Sequence, residues 1–177
     1  YIESINLAEY AANEGADALV LAPPYFFQAG QPELLEYLEH IVPRLPLPLF
    51  LYNLPSHNNI SFKPETVRSA ADIPGIIGLK DSSSDMIYFN RIKQLFMDQP
   101  DFRLFVGPEE LLAETLLMGG NGGVCGGANL FPQLYVKLYN SSQEGDLKKM
   151  KKLHEKVMQI SKTIFSVGKH KSSFIKG

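Results

Sequence analysis

Apolar residues recur along this chain with two alternating periods. Ile5, Leu7, Ala8, Ala11 and Ala12 fall at near-helical spacing, and Gly15 follows as a stop, which predicts a first helix. The run ADALVLAPP, residues 16–24, is short, apolar and ended by two prolines, as expected of a strand buried on both faces in a parallel sheet. QPELLEYLEHIVPRL, residues 31–45, predicts an amphipathic helix with Leu34, Leu38, Ile41 and Leu45 inward. LPLFLYNLP, residues 47–55, reads as a second proline-ended strand, and KPETVRSAADI, residues 63–73, as a helix with Pro64 in its first turn. A strand over IIGLKDSS, a helix over 86–96, a strand over FRLFVGP and a helix over PEELLAETLLMGG follow. The glycine-rich NGGVCGGAN, residues 121–129, reads as a last strand, before helices over 132–140 and 146–165.

The order is one helix and then a repeated βα unit, with crossovers long enough for parallel pairing. Both an open doubly wound sheet and a closed (β/α)8 TIM barrel accept that pattern. The glycine-rich strand comes last, and no G-x-G-x-x-G opens a helix at the first βα turn, so the α/β barrel is favoured over a dinucleotide fold. A barrel needs eight strands and about 250 residues. The strands predicted here are therefore assigned as four to eight, with C-terminal helices, and strands one to three are expected to precede Tyr1. Residues 1–140 are read as the C-terminal part of the barrel and 141–177 as the start of a helical extension. A chain that opens in a helical pattern without methionine, and ends on SSFIKG, is expected to be a fragment.

Composition narrows the function classes. With 45% hydrophobic and 20% charged residues among 177, the chain has ample material for a core. A net charge of -2, with basic residues scattered outside residues 148–156, gives no footprint for nucleic acid. Cys125 is the single cysteine, which excludes a disulfide scaffold and a Cys-rich zinc site and points to a reducing compartment, with the cytoplasm as the expected location. The most apolar run, residues 45–55, is too short and too rich in proline to span a bilayer, so no membrane is expected as a partner.

In a parallel βα array, functional groups collect at the C-terminal ends of strands. Lys80 closes such a strand and is followed at once by Asp81 and three serines. Period-two alternation puts Lys80, Gly78 and Ile76 on one face, with Leu79 and Ile77 on the other, and puts Tyr52 with Phe50 opposite Leu51 and Leu49. Neighbouring strands lie ~4.8 Å apart, so Tyr52 and Lys80 are placed to meet. A lysine held inside a barrel loses hydration of its charged form, which lowers its pKa and frees the amine to form a Schiff base with a carbonyl. Tyr52 then offers a phenol to relay protons. Read from residues alone, the alternative stays open: Lys80 snorkels from the strand end and Tyr52 is a core aromatic.

YNLP at 52–55, GLKDSS at 78–83, GADALVLAPPYF at 15–26 and GGNGGVCGGANLFP at 119–132 resemble the dihydrodipicolinate synthase and N-acetylneuraminate lyase superfamily, in the correct order across nearly the whole chain. The resemblance implies class I aldolase chemistry on pyruvate or another 2-keto acid, with Lys80 as the Schiff-base nucleophile and Tyr52 as general acid/base. It implies no cofactor and no metal, a small-molecule 2-keto acid and aldehyde as partners, and a homotetramer. On that reading Gly78 makes room beneath the lysine, and Asp81 with the serines caps the next helix or lines the cleft. Candidate substrate contacts are Ser82, Gly107, Glu109, Glu110, Val124, Gly126 and His57.

The departures from the family pattern bear on the aldehyde. His57 in YNLPSH stands where the lysine-biosynthetic synthase has a carboxylate-binding arginine, and an imidazole is a poor replacement for a bidentate guanidinium. Phe26 stands where that enzyme has a second relay tyrosine, unless Tyr25 fills in. Glu109 and Glu110 resemble the acidic pair that contacts the polyhydroxy tail of the sugar in N-acetylneuraminate lyase, and carboxylates also suit a helix N-terminus. Gly126 replaces that lyase's serine. These features favour a hydroxylated, non-phosphorylated aldehyde. The alternatives are dihydrodipicolinate synthase activity, a keto-sugar-acid dehydratase and a catalytically silent barrel. Cys125 is expected to be a packing residue, and His40, His154 and His170 to be structural or exposed. No histidine or carboxylate pair has metal-site spacing.

Overall fold

The computed structural model describes residues 2–24 and 29–166; Tyr25, Phe26 and His170 lie outside the described residues. The chain forms two compact units, one up to Leu104 and one from Phe105 onward.

The first unit contains α1 (Ile2–Asn13), β1 (Leu19–Leu21), α2 (Gln31–Ile41), β2 (Leu49–Asn53), α3 (Pro55–Asn58), α4 (Pro64–Ala70), β3 (Ile76–Asp81) and α5 (Met86–Leu95). β1 pairs in parallel with β2, and β2 with β3. Local chemistry sets the ends of these elements. Gly15 closes α1 at φ +87°, where its lack of a Cβ is needed, and the Ala16 N–H returns to the Ala11 carbonyl at 3.0 Å. Prolines open α2, α3 and α4, where no N–H partner is required. Asp85 caps α5, accepting from the Ile87 and Tyr88 amides at 2.8 and 3.0 Å.

The core of this unit is drawn from Leu34, Leu38 and Ile41 of α2, Leu51 and Leu79 of the strands, Val67 of α4, and Phe89 and Ile92 of α5. Each such side chain removed from water stabilises the fold by about 1.5–3 kcal/mol. Two expectations need correction. Val20 is 50% exposed, so β1 is not buried on both faces; its side chain lies in the row of Phe50 and Gly78, opposite the buried leucine face. Leu7 is 67% exposed because it stands about 100° round the helix from Ala8, the one buried residue of α1.

Strand alternation in β3 holds from Gly78 onward. Leu49 pairs with Ile76 but Phe50 pairs with Gly78, so Ile77 is an extra residue at an irregularity and Ile76 joins the buried side.

β4 (Arg103–Val106) leads into the second unit, which holds α6 (Leu112–Leu117), β5 (Gly122–Gly123), α7 (Pro132–Gln143) and α8 (Leu147–Phe165). Phe105 and Val106 pair in parallel with Gly122 and Gly123, and the Val124 N–H continues the ladder to the Val106 carbonyl at 2.8 Å. The predicted glycine-rich strand is therefore short, and residues Gly126–Asn129 turn into a 3-10 helix. A second 3-10 turn, Glu109–Leu111, starts the predicted helix that α6 completes. α7 packs on α8 over Leu138, Met150 and Val157, and Asp146 caps α8 through the Lys149 amide. No helix among the described residues is long and apolar enough to cross a membrane.

Candidate active site

Tyr52 and Lys80 are register partners at the C-terminal ends of β2 and β3. Both are half-buried, on the face opposite Leu51 and Leu79. Lys80 Nζ lies 4.0 Å from the centre of the Tyr52 ring, over its π face. The backbone then bends so that the Ser82 N–H donates to the Asn53 carbonyl at 2.8 Å, and Ser82 Oγ reaches Tyr52 Oη at 3.5 Å, a long contact. Lys80, Tyr52 and Ser82 thus form one cluster: an amine, a phenol and a hydroxyl at adjacent strand ends. A carbonyl compound entering it meets a nucleophile and two groups that can carry a proton.

The residues one step further along each strand point to the buried side. Asn53 and Asp81 are 0% and 2% exposed, and Asn53 Nδ2 donates to Asp81 Oδ1 at 2.8 Å. Asn53 Oδ1 accepts from Ser61 Oγ and the Phe62 amide, while Asp81 accepts from the Ser83 amide and hydroxyl. Asp81 is therefore neither a helix cap nor a cleft residue, as the sequence suggested; Asp85 is the cap, because Asp81 sits too early and faces inward. Burial pushes the Asp81 carboxyl above its ordinary range, against the hydrogen bonds from Asn53 and Ser83, which pull it down. Burial, reinforced by the nearby Asp81 carboxylate, raises the Tyr88 phenol far above its ordinary value.

Gly78 also has a different use from the one expected. A Cβ there would meet the Arg103 carbonyl and lie 2.5 and 2.7 Å from ring carbons of Phe50. The glycine makes room for the Phe50 ring and a neighbouring backbone carbonyl, which fill the space expected beneath Lys80.

In the second unit the acidic pair is committed to structure. Glu109 is 1% exposed, and its Oε2 accepts from the Gly127 N–H at 2.6 Å and Tyr135 Oη at 3.0 Å. Glu110 Oε1 accepts from Ser161 Oγ of α8. The expectation for Glu109 is corrected, since its carboxylate is turned into the core to hold the glycine-rich turn, while Glu110, half-buried, meets α8 through one oxygen. Burial first, and then the bond to Glu109, pushes the Tyr135 phenol far up. Gly127 is the crowded glycine of the turn, with Tyr135 Oη and Glu109 Oε2 where a Cβ would sit, whereas Gly126 faces open space. Val124 is exposed, Gly107 is half-buried and Cys125 is buried, the last as expected. His57 is exposed on α3 with its Nδ1 3.0 Å from Ser56 Oγ. Among the described residues no group of three His, Cys, Asp or Glu side chains could hold a metal ion.

The sequence reading gave Asn53 no role and gave Asp81 a different one, although a signal for the buried pair is present. Alternation places both on the leucine side of their strands, where a polar group must find a partner.

Comparison with known proteins puts this cluster in context. The model of the dihydrodipicolinate synthetase family matches residues 2–176. A 4-hydroxy-tetrahydrodipicolinate synthase of Staphylococcus epidermidis is 35% identical over 158 residues, covering 89% of this chain and 53% of its own length. A probable 2-dehydro-3-deoxy-D-pentonate aldolase of Escherichia coli K12 is 33% identical over 163 residues, with the same two coverages of 89% and 53%. Among solved structures, dihydrodipicolinate synthase from Bacteroides thetaiotaomicron superposes with a TM-score of 0.92 at 55% identity, covering 99% of this chain and 59% of its own. A prophage protein of the same family from E. coli K12, solved in complex with pyruvate, gives 0.87 at 29% identity over 94% and 56% of the two chains. The chain spans about half the length of the curated relatives it matches. Its fold is α/β with parallel strands, part of a (β/α)8 barrel.

Proposed function

Because the chain belongs to the dihydrodipicolinate synthetase family, we propose that it carries the Schiff-base site of a class I lyase or aldolase that joins pyruvate to an aldehyde or releases it. The observation that carries this reading is the side-by-side placement of Lys80 and Tyr52, with Nζ 4.0 Å from the ring centre. Lys80 Nζ attacks the C2 carbonyl of the 2-keto acid, and loss of water from the carbinolamine leaves an iminium on the lysine. In the cleavage direction the substrate hydroxyl gives up its proton as the adjacent carbon–carbon bond breaks. The electron pair of that bond moves into the iminium to leave an enamine and free aldehyde. Reprotonation of the enamine carbon and hydrolysis release pyruvate and restore the amine. Tyr52 is the group that takes and returns these protons, with Ser82 as its neighbour. The iminium itself is the electron sink, so this chemistry calls for no cofactor and no metal.

The aldehyde half is read as hydroxylated and non-phosphorylated, in the manner of N-acetylneuraminate lyase. What supports this is His57 in the place of a cationic carboxylate ligand; the buried Glu109 no longer does. A second reading, condensation with aspartate semialdehyde, is favoured by the 55% identity to the dihydrodipicolinate synthase from Bacteroides thetaiotaomicron. Two assays on the full chain separate them: pyruvate release from 2-keto-3-deoxy sugar acids and from N-acetylneuraminate, and pyruvate consumption with aspartate semialdehyde. Release from a sugar acid without turnover of the semialdehyde supports the first reading, and the converse overturns it. Residues 1–140 belong on this reading to the barrel and 141–177 to a helical extension. The protein is read as a cytoplasmic homotetramer whose partners are small molecules.

A further inference from the structure

The two residues that follow Tyr52 and Lys80 form a buried pair that no catalytic step uses. Asn53 and Asp81 are direct register partners, the last pair of the β2–β3 ladder, and Tyr52 and Lys80 are the pair before it. Side chains alternate, so one pair faces the site and the other faces the interior. Beyond this pair a single backbone bond, from the Ser82 N–H to the Asn53 carbonyl, joins the strand ends, and a gap in that hold would let the amine and phenol drift apart. The Asn53 Nδ2 to Asp81 Oδ1 hydrogen bond closes that gap with a side-chain link of 2.8 Å, out of water at 0% and 2% exposure. Each partner is fixed in turn. Asn53 Oδ1 takes Ser61 Oγ and the Phe62 N–H at 3.2 and 3.1 Å, and Asp81 takes the Ser83 N–H and hydroxyl at 3.1 and 2.9 Å. The Asn53 carbonyl also receives the Ser82 N–H, which sets the serine whose hydroxyl reaches Tyr52.

A buried amide–carboxylate bond is an expensive way to hold two strands that Leu51 and Leu79 already pack. An apolar pair would serve stability at least as well, since polar groups are costly in the interior unless fully satisfied. What an apolar pair lacks is direction. The hydrogen bond is satisfied at one relative position of the two strand ends, and that position sets Nζ against the Tyr52 ring.

We propose that Asn53 and Asp81 are positioning residues that fix the geometry between Lys80 and Tyr52, acting through the strand ends without touching substrate. The proposal rests on the Schiff-base reading above. It predicts a split between two steps: imine formation, whose bond Lys80 makes and which trapping reads at equilibrium, and proton transfer at the pyruvate methyl group, whose rate needs Lys80 and Tyr52 held together.

The experiment uses the full chain and pyruvate as the probe, with borohydride trapping for the first step and exchange of the methyl protons in deuterium oxide, followed by NMR, for the second. Asn53→Ser is neutral but too short to reach Asp81, and is expected to trap pyruvate on Lys80 while losing exchange by roughly ten-fold to a hundred-fold, the usual sensitivity of a catalytic group to displacement by about 1 Å. Asn53→Asp sets two carboxylates face to face and is expected to lose at least as much. Thermal unfolding of each variant shows that it is folded, and if Asn53→Asp does not fold, Asn53→Ser carries the test. Parental exchange in a folded Asn53→Ser, or in a folded Asn53→Asp, overturns the proposal. Absence of trapping in the parent protein fails the Schiff-base reading instead, so the two failures are distinct.

Discussion

Lys80 Nζ sits over the face of the Tyr52 ring, 4.0 Å from its centre, and not beside the phenol oxygen. The amine thus packs on the ring, while the hydroxyl stands at the ring's edge with Ser82 Oγ as its neighbour. That arrangement separates what the ring does from what the hydroxyl does.

Tyr52→Phe keeps the ring under the amine and removes only the hydroxyl. Turnover is expected to fall by about 10²–10⁴-fold, the usual contribution of a positioned general acid or base. Stability should change little, because the hydroxyl's contact with Ser82 Oγ is long, at 3.5 Å. Steady-state rates and a melting curve on the same preparation check both halves. Unchanged turnover removes Tyr52 from the mechanism.

Two glycine substitutions are expected to behave in opposite ways. Gly78→Ala drives a methyl group into the Arg103 carbonyl and the Phe50 ring, and should destabilise by about 1–3 kcal/mol. Gly126→Ser meets open space and should stay within about 0.5 kcal/mol of the parent. Urea unfolding of the two variants side by side provides the comparison.

Glu109→Ala leaves the Gly127 N–H and the Tyr135 hydroxyl without their buried acceptor, at a cost of about 1–3 kcal/mol for each unsatisfied group. The effect should appear as lost stability of the second unit, with no change in which aldehyde is preferred among those the folded protein still accepts. A selective loss of hydroxylated aldehydes, with stability intact, would return Glu109 to the role of sugar ligand.

Asp81 makes stability depend on pH in a stated direction. Burial raises its carboxyl above the ordinary value of 3.8. The stabilisation linked to its protonation is thus complete below 3.8 and is lost as pH rises through the raised value in the folded protein. Asp81→Asn, which does not titrate, removes this component. The difference in unfolding free energy, parent minus variant, is expected to fall as pH rises from below 3.8 and then level off. A difference that grows with pH contradicts the assignment.

Much of this was legible in the sequence, for physical reasons that differ by element. α2, α4 and α5 announce themselves because Leu34, Leu38 and Ile41, or Val67 with Ala70, or Phe89 with Ile92, repeat on one face and are opened by proline or aspartate signals. Tyr52 and Lys80 were placed together by strand alternation and the spacing of ordinary βα units. Two kinds of feature were not legible. The irregularity at Ile77 shifts one residue without any local cue, and only the register with β2 reveals it. The fate of each carboxylate depends on tertiary partners far along the chain: Glu109 meets Gly127 and Tyr135, and Glu110 meets Ser161. A side chain's type says what it can bond to, and packing decides whether substrate or core takes the bond.

The most direct test of the account is borohydride reduction of the full chain in the presence of pyruvate, followed by peptide mass spectrometry, with Lys80→Ala alongside. The account predicts a reduced pyruvate adduct on the peptide containing Lys80, absent from the variant. An adduct that persists in Lys80→Ala, or no adduct at saturating pyruvate, contradicts it.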